Sequence, residues 1–367
     1  MFKGIYSDKK VLVTGNTGFK GAWLSFWLQQ LGAKVFGFAI DIPTKPSLFE
    51  VLNLASKMSH TAGDIRDFES IRTLVCGLKP DFVFHLAAQS IVQQSYLDPA
   101  TTFGTNVMGT VHVLEALRLA NHPCSAVIIT SDKCYDNVEW DWGYRENDAL
   151  GGKDPYSASK GAAELSIKAF HRSFFSKADS KVKVLSARAG NVIGGGDWAC
   201  NRIVPDCVRA WATAQTVEIR SPFATRPWQH VLEPLSGYLR AGQMLAGDEF
   251  LNGGSFNFGP NAEQNQSVVQ LINEISPGWS FKKDFSRYHI REQEEMKEAG
   301  LLKLNCDKAL ARLQWMPTMN FTETSATTIR WYDAYYNSKN INIEEYTLQQ
   351  LNEYLELAKT RNLAWTK

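Results

Sequence analysis

The sequence lacks any Cys-x-x-Cys pair: its six cysteines lie at 76, 124, 134, 200, 207 and 306. That argues against a zinc ribbon and against a disulfide framework, and fits free thiols in a reducing cytoplasm. The seven histidines show no metal-ligand spacing, so no metal is expected. Neither charge dominates, the formal net charge being +1. This disfavours a nucleic-acid partner held by bulk charge and a polybasic membrane surface. No apolar run reaches membrane-spanning length, and the opening MFKGIYSDKK lacks the apolar core of a signal peptide. The expectation is a cytoplasmic protein with no membrane and no nucleic-acid partner. No repeat or low-complexity segment stands out.

What is present begins with Lys10–Gly21, KVLVTGNTGFKG, near the start of a 367-residue chain long enough for two domains or one elaborated domain. Val11–Val13 read as a strand, Gly15, Gly18 and Gly21 follow at three-residue spacing, and Ala22–Leu31 is apolar at 24, 28 and 31. Strand, glycine turn and helix together make a dinucleotide-site hypothesis. The turn lets backbone approach a pyrophosphate, and the helix N-terminus offers unpaired N–H groups and a positive dipole end. Gly15, Thr17, Gly18, Phe19, Lys20 and Gly21 are the candidate contacts. An ordinary glycine-rich β–α turn has the same composition, so the surroundings must decide.

A second strand, Lys34–Ile40, ends at Asp41, twenty residues beyond Gly21. An acid there accepts hydrogen bonds from both ribose hydroxyls and repels a 2′-phosphate, which favours NAD over NADP. Ser59–Ala62 is a weak third strand, followed by Gly63 and the candidate cofactor residues Asp64 and Ile65. Asp67–Lys79 carries Ile71, Leu74, Val75 and Leu78 on one helical stripe. Asp81–Leu86 is a fourth strand. Leu86, Ala87 and Ala88 at its end suit close approach of a flat cofactor, and Gln89 beside them is a candidate for the substrate. Pro99–Ala120 reads as one long helix containing Asn106. Ser125–Thr130 is a fifth strand, with Ser131, Asp132 and Lys133 at its end, and Val182–Ser186 is a sixth. This alternation predicts an α/β fold with a Rossmann-type, doubly wound parallel sheet.

Beyond Gly190 the rhythm changes. GNVIGGGDW (190–198) is glycine-rich and reads as too polar for a core element. RSPFATRPWQHV (220–231) mixes arginines, prolines and aromatics, and His289–Ala299 reads as a charged helix. The expected division is a dinucleotide-binding domain over 1–190, with a returning segment at 225–245, a smaller substrate-binding domain over 191–340, and a polar, partly amphipathic helical tail over 341–367.

Tyr156 and Lys160 form a Tyr-x-x-x-Lys pair in DPYSASKGAAEL, where Pro155 can open a helix and i,i+4 spacing puts both side chains on one face. A nearby ammonium favours a phenolate, so Tyr156 is expected to have a lowered pKa and to serve as a base towards a hydroxyl. Tyr6 with Lys10 and Tyr335 with Lys339 match the same pattern. Only Tyr156 follows the fifth strand of a sheet that begins with the glycine turn.

GNTGFKG, HLAAQS, Asn106, TSDKCYD and the Tyr156/Lys160 pair together resemble the extended short-chain dehydrogenase/reductases that act on nucleotide sugars. TSDKCYD (130–136), WDWGYREND (140–148), GGKDPYSASK (151–160), RAGNVIGGGDWA (188–199), RIVPD (202–206) and RPWQHVLEPLSGYL (226–239) resemble the CDP-glucose branch of the 4,6-dehydratases. The likeness runs to about Tyr332. It implies bound NAD, a nucleotide-sugar substrate (CDP-glucose), a homodimer, and a place in deoxysugar synthesis for surface polysaccharide. It also implies roles. Tyr156 is the base at the sugar 4-hydroxyl, Lys160 tunes it and holds the nicotinamide ribose, and Ser131 bonds the same hydroxyl. Asn106 belongs to the cofactor site. By position Asp132 is the acid for the departing 6-hydroxyl. Lys133 is either the base at C5 or a cation that stabilises the enolate, and the sequence does not choose. Asn191, Arg202 and Arg226 fall where the family binds the diphosphate, and Trp198 and Trp228 are candidate walls for the base. Two residues depart from the family: Asn16, usually histidine, and Asn201, usually aspartate. A 4-epimerase, a dehydratase of another nucleotide sugar and a non-catalytic NAD-binding sensor are the rival readings.

Overall fold

The computed structural model describes residues 1–291 and 301–367. Seven strands form one sheet: β1 Lys10–Thr14, β2 Lys34–Ala39, β3 Ser59–Ala62, β4 Phe82–His85, β5 Cys124–Ile129, β6 Val182–Ala189 and β7 Ser255–Phe258. Their spatial order is β7-β6-β5-β4-β1-β2-β3, with every neighbouring pair parallel. Buried on both faces, β4 and β5 read as unbroken apolar runs, as parallel strands must. The chain winds outward from β1 to β2 and β3, then returns to place β4 on the other side of β1. The order therefore reverses between β1 and β4, and open α/β sheets bind ligands outside the strand ends at such a point.

The first helix, Phe19–Gln30, is buried around its whole circumference from Gly21 to Leu28. A single apolar stripe at 24, 28 and 31 understated it, because Trp23, Phe26 and Trp27 also find cover. The outer cover comes from the far end of the chain. Helix Ile343–Thr360 brings Tyr354 against Trp27 (centroids 5.9 Å), and the following turn brings Trp365 against Trp27 (6.0 Å) and Phe2 (5.4 Å). Lys3 N donates to Lys367 O at 2.9 Å, so the two chain ends close on each other beneath the first helix.

Three further sequence expectations need correction. The long helix is Pro99–Phe103, a π-helical turn at Gly104–Met108, and then Gly109–Ala120. Asn106 sits in the widened turn, where hydrogen bonds to neighbouring segments replace a regular ladder. Residues 193–198 of the glycine-rich segment are buried, not a polar surface loop. A Cβ on Gly195 would lie 2.0 Å from the Trp331 ring, and Trp23 Nε1 donates to Gly195 O at 2.9 Å. Glycine admits large side chains onto its backbone, so the three glycines enter the core together with Ile193 and Trp198. His289 and Ile290, read as the start of a charged helix, lie in a short strand, Tyr288–Ile290, paired with Val217–Ile219. Most of that expected helix lies outside the described residues. No helix among the described residues is long and apolar enough to cross a membrane.

Trp365 is fully buried between Phe2, Trp27 and Tyr354. Trp365→Ala is expected to destabilise the protein by about 3–5 kcal/mol, measured by urea denaturation. An unchanged midpoint would show that the tail does not contribute to the core.

Candidate active site

A cavity of 370 Å³ opens at the carboxyl ends of the sheet strands. Phe19 and Lys20, the first residues of the helix that follows the β1 turn, line it. Gly15 has a left-handed backbone (φ 72°), and a Cβ there would lie 2.8 Å from Ala87 N. Gly21 has even less room, since its Cβ would meet Gly15 O at 2.0 Å. Gly18 is open, with only Gly15 O within 4 Å (3.5 Å), and it begins the helix without a side-chain cap. An uncapped helix N-terminus beside an open glycine suits a diphosphate, so the residues present fit a dinucleotide. Thr17 Oγ1 donates to Asp41 O at 2.6 Å, tying the end of β2 to this turn and leaving the Asp41 side chain exposed.

Other expected cofactor residues divide into those at the crevice and those behind it. Leu86 N donates to Thr14 O at 3.1 Å, and Ala87 N to Thr14 Oγ1 at 3.2 Å, which fixes the loop after β4; Ala88 follows it. The Asp64 carboxylate is held below its ordinary range chiefly by hydrogen bonding to Arg66 (2.5 Å to Nη2). Ile65 is buried in the core beside Phe38. Asn106 is buried and spends its amide on the protein: Oδ1 accepts from Gln89 N (2.9 Å), and Nδ2 donates to Gln89 O (3.0 Å) and Ser159 Oγ (2.9 Å). Gln89, expected at the substrate, uses its own amide on Thr102 Oγ1 (2.9 Å) and Ile91 N (2.5 Å). Ser90 to Gln93 line the cavity in its place.

The two departures from the family have local explanations. Asn16 needs no unusual backbone, since in this turn only Gly15 has a positive φ. Its side chain turns beneath the sheet edge, bonding His60 Nδ1 at 3.2 Å and lying over Gly37, where a Cβ would meet Asn16 Cγ at 2.4 Å. Asn201 has φ 62°, a region asparagine enters readily, and its Oδ1 accepts from Arg220 Nη2 at 3.3 Å.

Ser131 ends β5 in extended conformation and caps a one-turn 3₁₀ helix, Asp132–Cys134. Its Oγ accepts from Lys133 N (3.2 Å) and donates to Asp132 Oδ1 (2.9 Å). Asp132 Oδ2 is buried and has no hydrogen-bond partner among the described residues. Burial raises the Asp132 pKa, outweighing the opposing pull of Lys133, Ser131, Lys20 and Arg226. The protonated form is thereby favoured, as a general acid requires. Lys133 lines the cavity beside it.

Tyr156 opens the helix Pro155–Phe170, its N–H donating to Ser95 Oγ at 3.2 Å. Its pKa is not lowered as expected from Lys160. Burial pushes it up to about 12 against the pull of Ser131 and Arg202. Lys160 is pushed down to about 8, first by burial and then by Lys20, with Cys134 and Glu164 acting the other way. In this enclosed space desolvation outweighs pairwise charge.

On the other wall, Arg202 Nη1 pairs with Asp197 Oδ2 (2.9 Å) and Nη2 reaches Ser90 Oγ (3.4 Å). Arg226 is nearly buried on a short strand, Thr225–Arg226. Asn191 and Trp228 also line the cavity. Trp198 does not. It packs against Trp331 and Tyr335 and donates to Tyr336 Oη at 2.9 Å. Lys20, put forward from the sequence as a cofactor contact, lines this cavity and is pushed down to about 8 by burial and Arg202. Sequence reasoning missed Arg220 and Glu218, which also line it.

Residues 12–328 match a family model described as GDP-mannose 4,6 dehydratase. The chain is 46% identical over 364 residues to CDP-glucose 4,6-dehydratase of Salmonella typhimurium, covering 98% of this chain and 99% of that protein. It is 25% identical over 340 residues to CDP-paratose 2-epimerase of Salmonella typhi, covering 85% and 95%. The fold is that of dTDP-glucose 4,6-dehydratase from Bacillus anthracis, solved in complex with NAD: TM-score 0.71, 20% identity, covering 89% of this chain and 96% of that one.

Asp41, exposed just beyond the end of β2, is the acid expected to disfavour a 2′-phosphate. Asp41→Asn is expected to raise affinity for NADP relative to NAD by roughly tenfold or more, read by titrating both cofactors. An unchanged ratio would remove Asp41 from cofactor selection.

Proposed function

The chain belongs to the GDP-mannose 4,6 dehydratase family of extended short-chain dehydrogenase/reductases, and we propose on that premise that it dehydrates CDP-glucose to CDP-4-keto-6-deoxyglucose. The observation that carries this reading is a single cavity lined by Ser131, Asp132, Lys133 and Tyr156. A 4-epimerase needs the serine and tyrosine but has no use for an acid and a second cation directed at C5 and C6.

NAD, when bound, accepts the C4 hydride and returns it to C6, so the net reaction is redox-neutral. Gly15 to Gly21 and Asp41 would hold it. Tyr156 takes the proton of the 4-hydroxyl, with Ser131 bonding the same oxygen and Lys160 keeping positive charge near the phenolate. Burial raises the Tyr156 pKa, so its role as base calls for positive charge beside the phenolate, which Lys160 and, when bound, the nicotinamide ring would supply. Once C4 is a ketone, the C5 proton is acidic. Lys133 answers for that proton, as base or as the cation beside the enolate. Asp132, whose carboxyl burial shifts towards the protonated form, is placed to deliver a proton to the departing 6-hydroxyl. Arg202, Arg226 and Asn191 take the diphosphate, guanidinium groups matching its geometry, and Trp228 forms a wall for the base.

The same reading assigns residues 1–190 and 225–245 mainly to the cofactor, 191–340 mainly to the substrate, and 341–367 to a structural tail. In its support, helix Leu232–Gly247 packs on β5 and β6. It extends to a homodimer, supported by Tyr96, Leu97, Phe103, Met108, Leu119 and Leu165, all exposed on and around the two long helices. It extends also to a cytoplasmic enzyme of deoxysugar and polysaccharide synthesis, for which the six unpaired cysteines speak.

Incubation with CDP-glucose, and separately with UDP-, GDP- and dTDP-glucose, is expected to give a 4-keto-6-deoxy product from CDP-glucose first. The product is read by near-ultraviolet absorbance in alkali and by loss of water in mass spectrometry. No product from CDP-glucose would overturn the substrate, and a C4-inverted sugar without water loss would favour an epimerase. Lys133→Met is expected to bind NAD normally and to slow water loss by about 10²–10⁴-fold, with C4 oxidation less affected. Equal loss of both steps counts against its role in elimination.

A further inference from the structure

The reacting side chains come from two separate elements. Ser131, Asp132 and Lys133 follow β5, whereas Tyr156 and Lys160 lie on the helix Pro155–Phe170. Catalysis needs these two groups held to a fraction of an ångström. One buried ion pair touches both. Glu164, a turn beyond Lys160, is fully buried, and its carboxylate accepts from Arg188 Nε (3.0 Å) and Nη2 (2.7 Å), Thr130 Oγ1 (2.5 Å) and Ser186 Oγ (2.8 Å). Arg188, also fully buried, donates through Nη1 to Tyr135 Oη (2.7 Å) and Glu146 O (3.1 Å), and its guanidinium lies 4.9 Å from the Tyr135 ring centroid.

The partners are arranged tellingly along the chain. Thr130 immediately precedes Ser131, and Tyr135 immediately follows the turn Asp132–Cys134. The segment carrying Ser131, Asp132 and Lys133 is thus bracketed, one end bonded to Glu164 and the other to Arg188. Arg188 itself lies two residues before Gly190, where β6 enters the cavity wall. Apolar residues of similar volume could hold the same space without a desolvation penalty. What they could not supply is a directional bond to each end of the catalytic segment.

We propose that the Glu164–Arg188 pair is a positioning clamp that fixes the Ser131–Lys133 segment against the helix of Tyr156 and Lys160. The proposal rests on the reading of those five residues as the reacting set. Glu164 has a second, electrostatic effect. The groups bearing on Lys160 are Lys20 from the first helix, Cys134 from the 3₁₀ turn, His85 from β4 and Glu164 from its own helix. Among them Glu164 is the carboxylate, and it supports the Lys160 ammonium.

Two variants of the full-length protein, assayed with CDP-glucose and NAD, separate the clamp from simple support of the fold. Thr130→Val keeps the ion pair and the side-chain volume but removes one bond of the bracket. It is expected to lower kcat roughly ten- to hundredfold, with KM and NAD affinity within about twofold of wild type. Glu164→Gln is expected to lower kcat and also to move the alkaline limb of the kcat profile downward by up to about one pH unit, because Lys160 loses its supporting charge. A merely structural role would scale that profile without moving it. Wild-type kcat in Thr130→Val overturns the clamp, as does a Glu164→Gln profile reduced in proportion to lost stability with its limb in place. If Glu164→Gln does not fold, Thr130→Val decides alone. A wild-type enzyme that dehydrates none of the four nucleotide sugars overturns the functional reading and the clamp with it, which is distinct from an active wild type with indifferent variants.

Discussion

Gly21 has no room for a side chain, since a Cβ there would lie 2.0 Å from the carbonyl oxygen of Gly15. That contact sets the first helix directly on the turn that ends β1, and much of the molecule is arranged to keep it there. The helix is buried all round because the C-terminal helix and Trp365 cover its outer side while Gly195 accepts Trp23 on another. Pinning the helix pins its N-terminus, and with it Phe19 and Lys20, at the cavity. The far tail therefore bears on the cofactor turn without coming near a ligand, because it holds in place the element whose first turn forms the site.

Burial sets the protonation of the cavity. It raises the carboxyl of Asp132 and the phenol of Tyr156, and lowers the ammonium groups of Lys20 and Lys160. Each shift reduces charge where side chains are withdrawn from solvent. Lys20 lowers Lys160 by repulsion and is itself lowered by Arg202, so this cluster of cations would favour a bound diphosphate. A cofactor and a substrate that bring their own charges complete the site electrostatically as well as sterically.

The sequence revealed the parallel sheet because strand patterns and helix stripes are local properties; five strands were legible from apolar runs, and the polar third, Ser59–Ala62, from its place in the alternation. β7, Ser255–Phe258, was not, because it is short and returns from a region whose composition had changed. Ser131, Asp132, Lys133 and Tyr156, put forward from the family resemblance and the Tyr-x-x-x-Lys pair, line one cavity. The site was less legible where a side chain's target depends on tertiary neighbours. Gln89 and Asn106 have the right types for ligand contact, yet they bond one another's segments. The pKa of Tyr156 was misjudged for a related reason: i,i+4 spacing shows that Lys160 is near but not how much water burial has removed. Glu164 and Arg188 left a trace, a glutamate one turn past Lys160 and an arginine near the end of a largely apolar strand, which becomes meaningful only when both prove to be fully enclosed.

The acid and its neighbour sit on consecutive residues, which needs a reason, because elimination requires groups reaching different atoms of one sugar. A 3₁₀ turn supplies it. With three residues per turn, side chains at successive positions diverge by about 120°, so Asp132 and Lys133 leave a common backbone in different directions. The direction of Asp132 is fixed by Gly190. A Cβ at that residue would stand 3.1 Å from Asp132 Oδ2 and 3.4 Å from Pro227 Cγ. Gly190 has no positive φ, so its backbone does not require glycine; the space taken by the carboxyl group does. The glycine-rich segment thus serves two ends of one site, admitting core side chains at Gly195 and admitting the acid at Gly190. A side chain at Gly190 would press on the Asp132 carboxyl and on Pro227, each of which would have to give by a few tenths of an ångström.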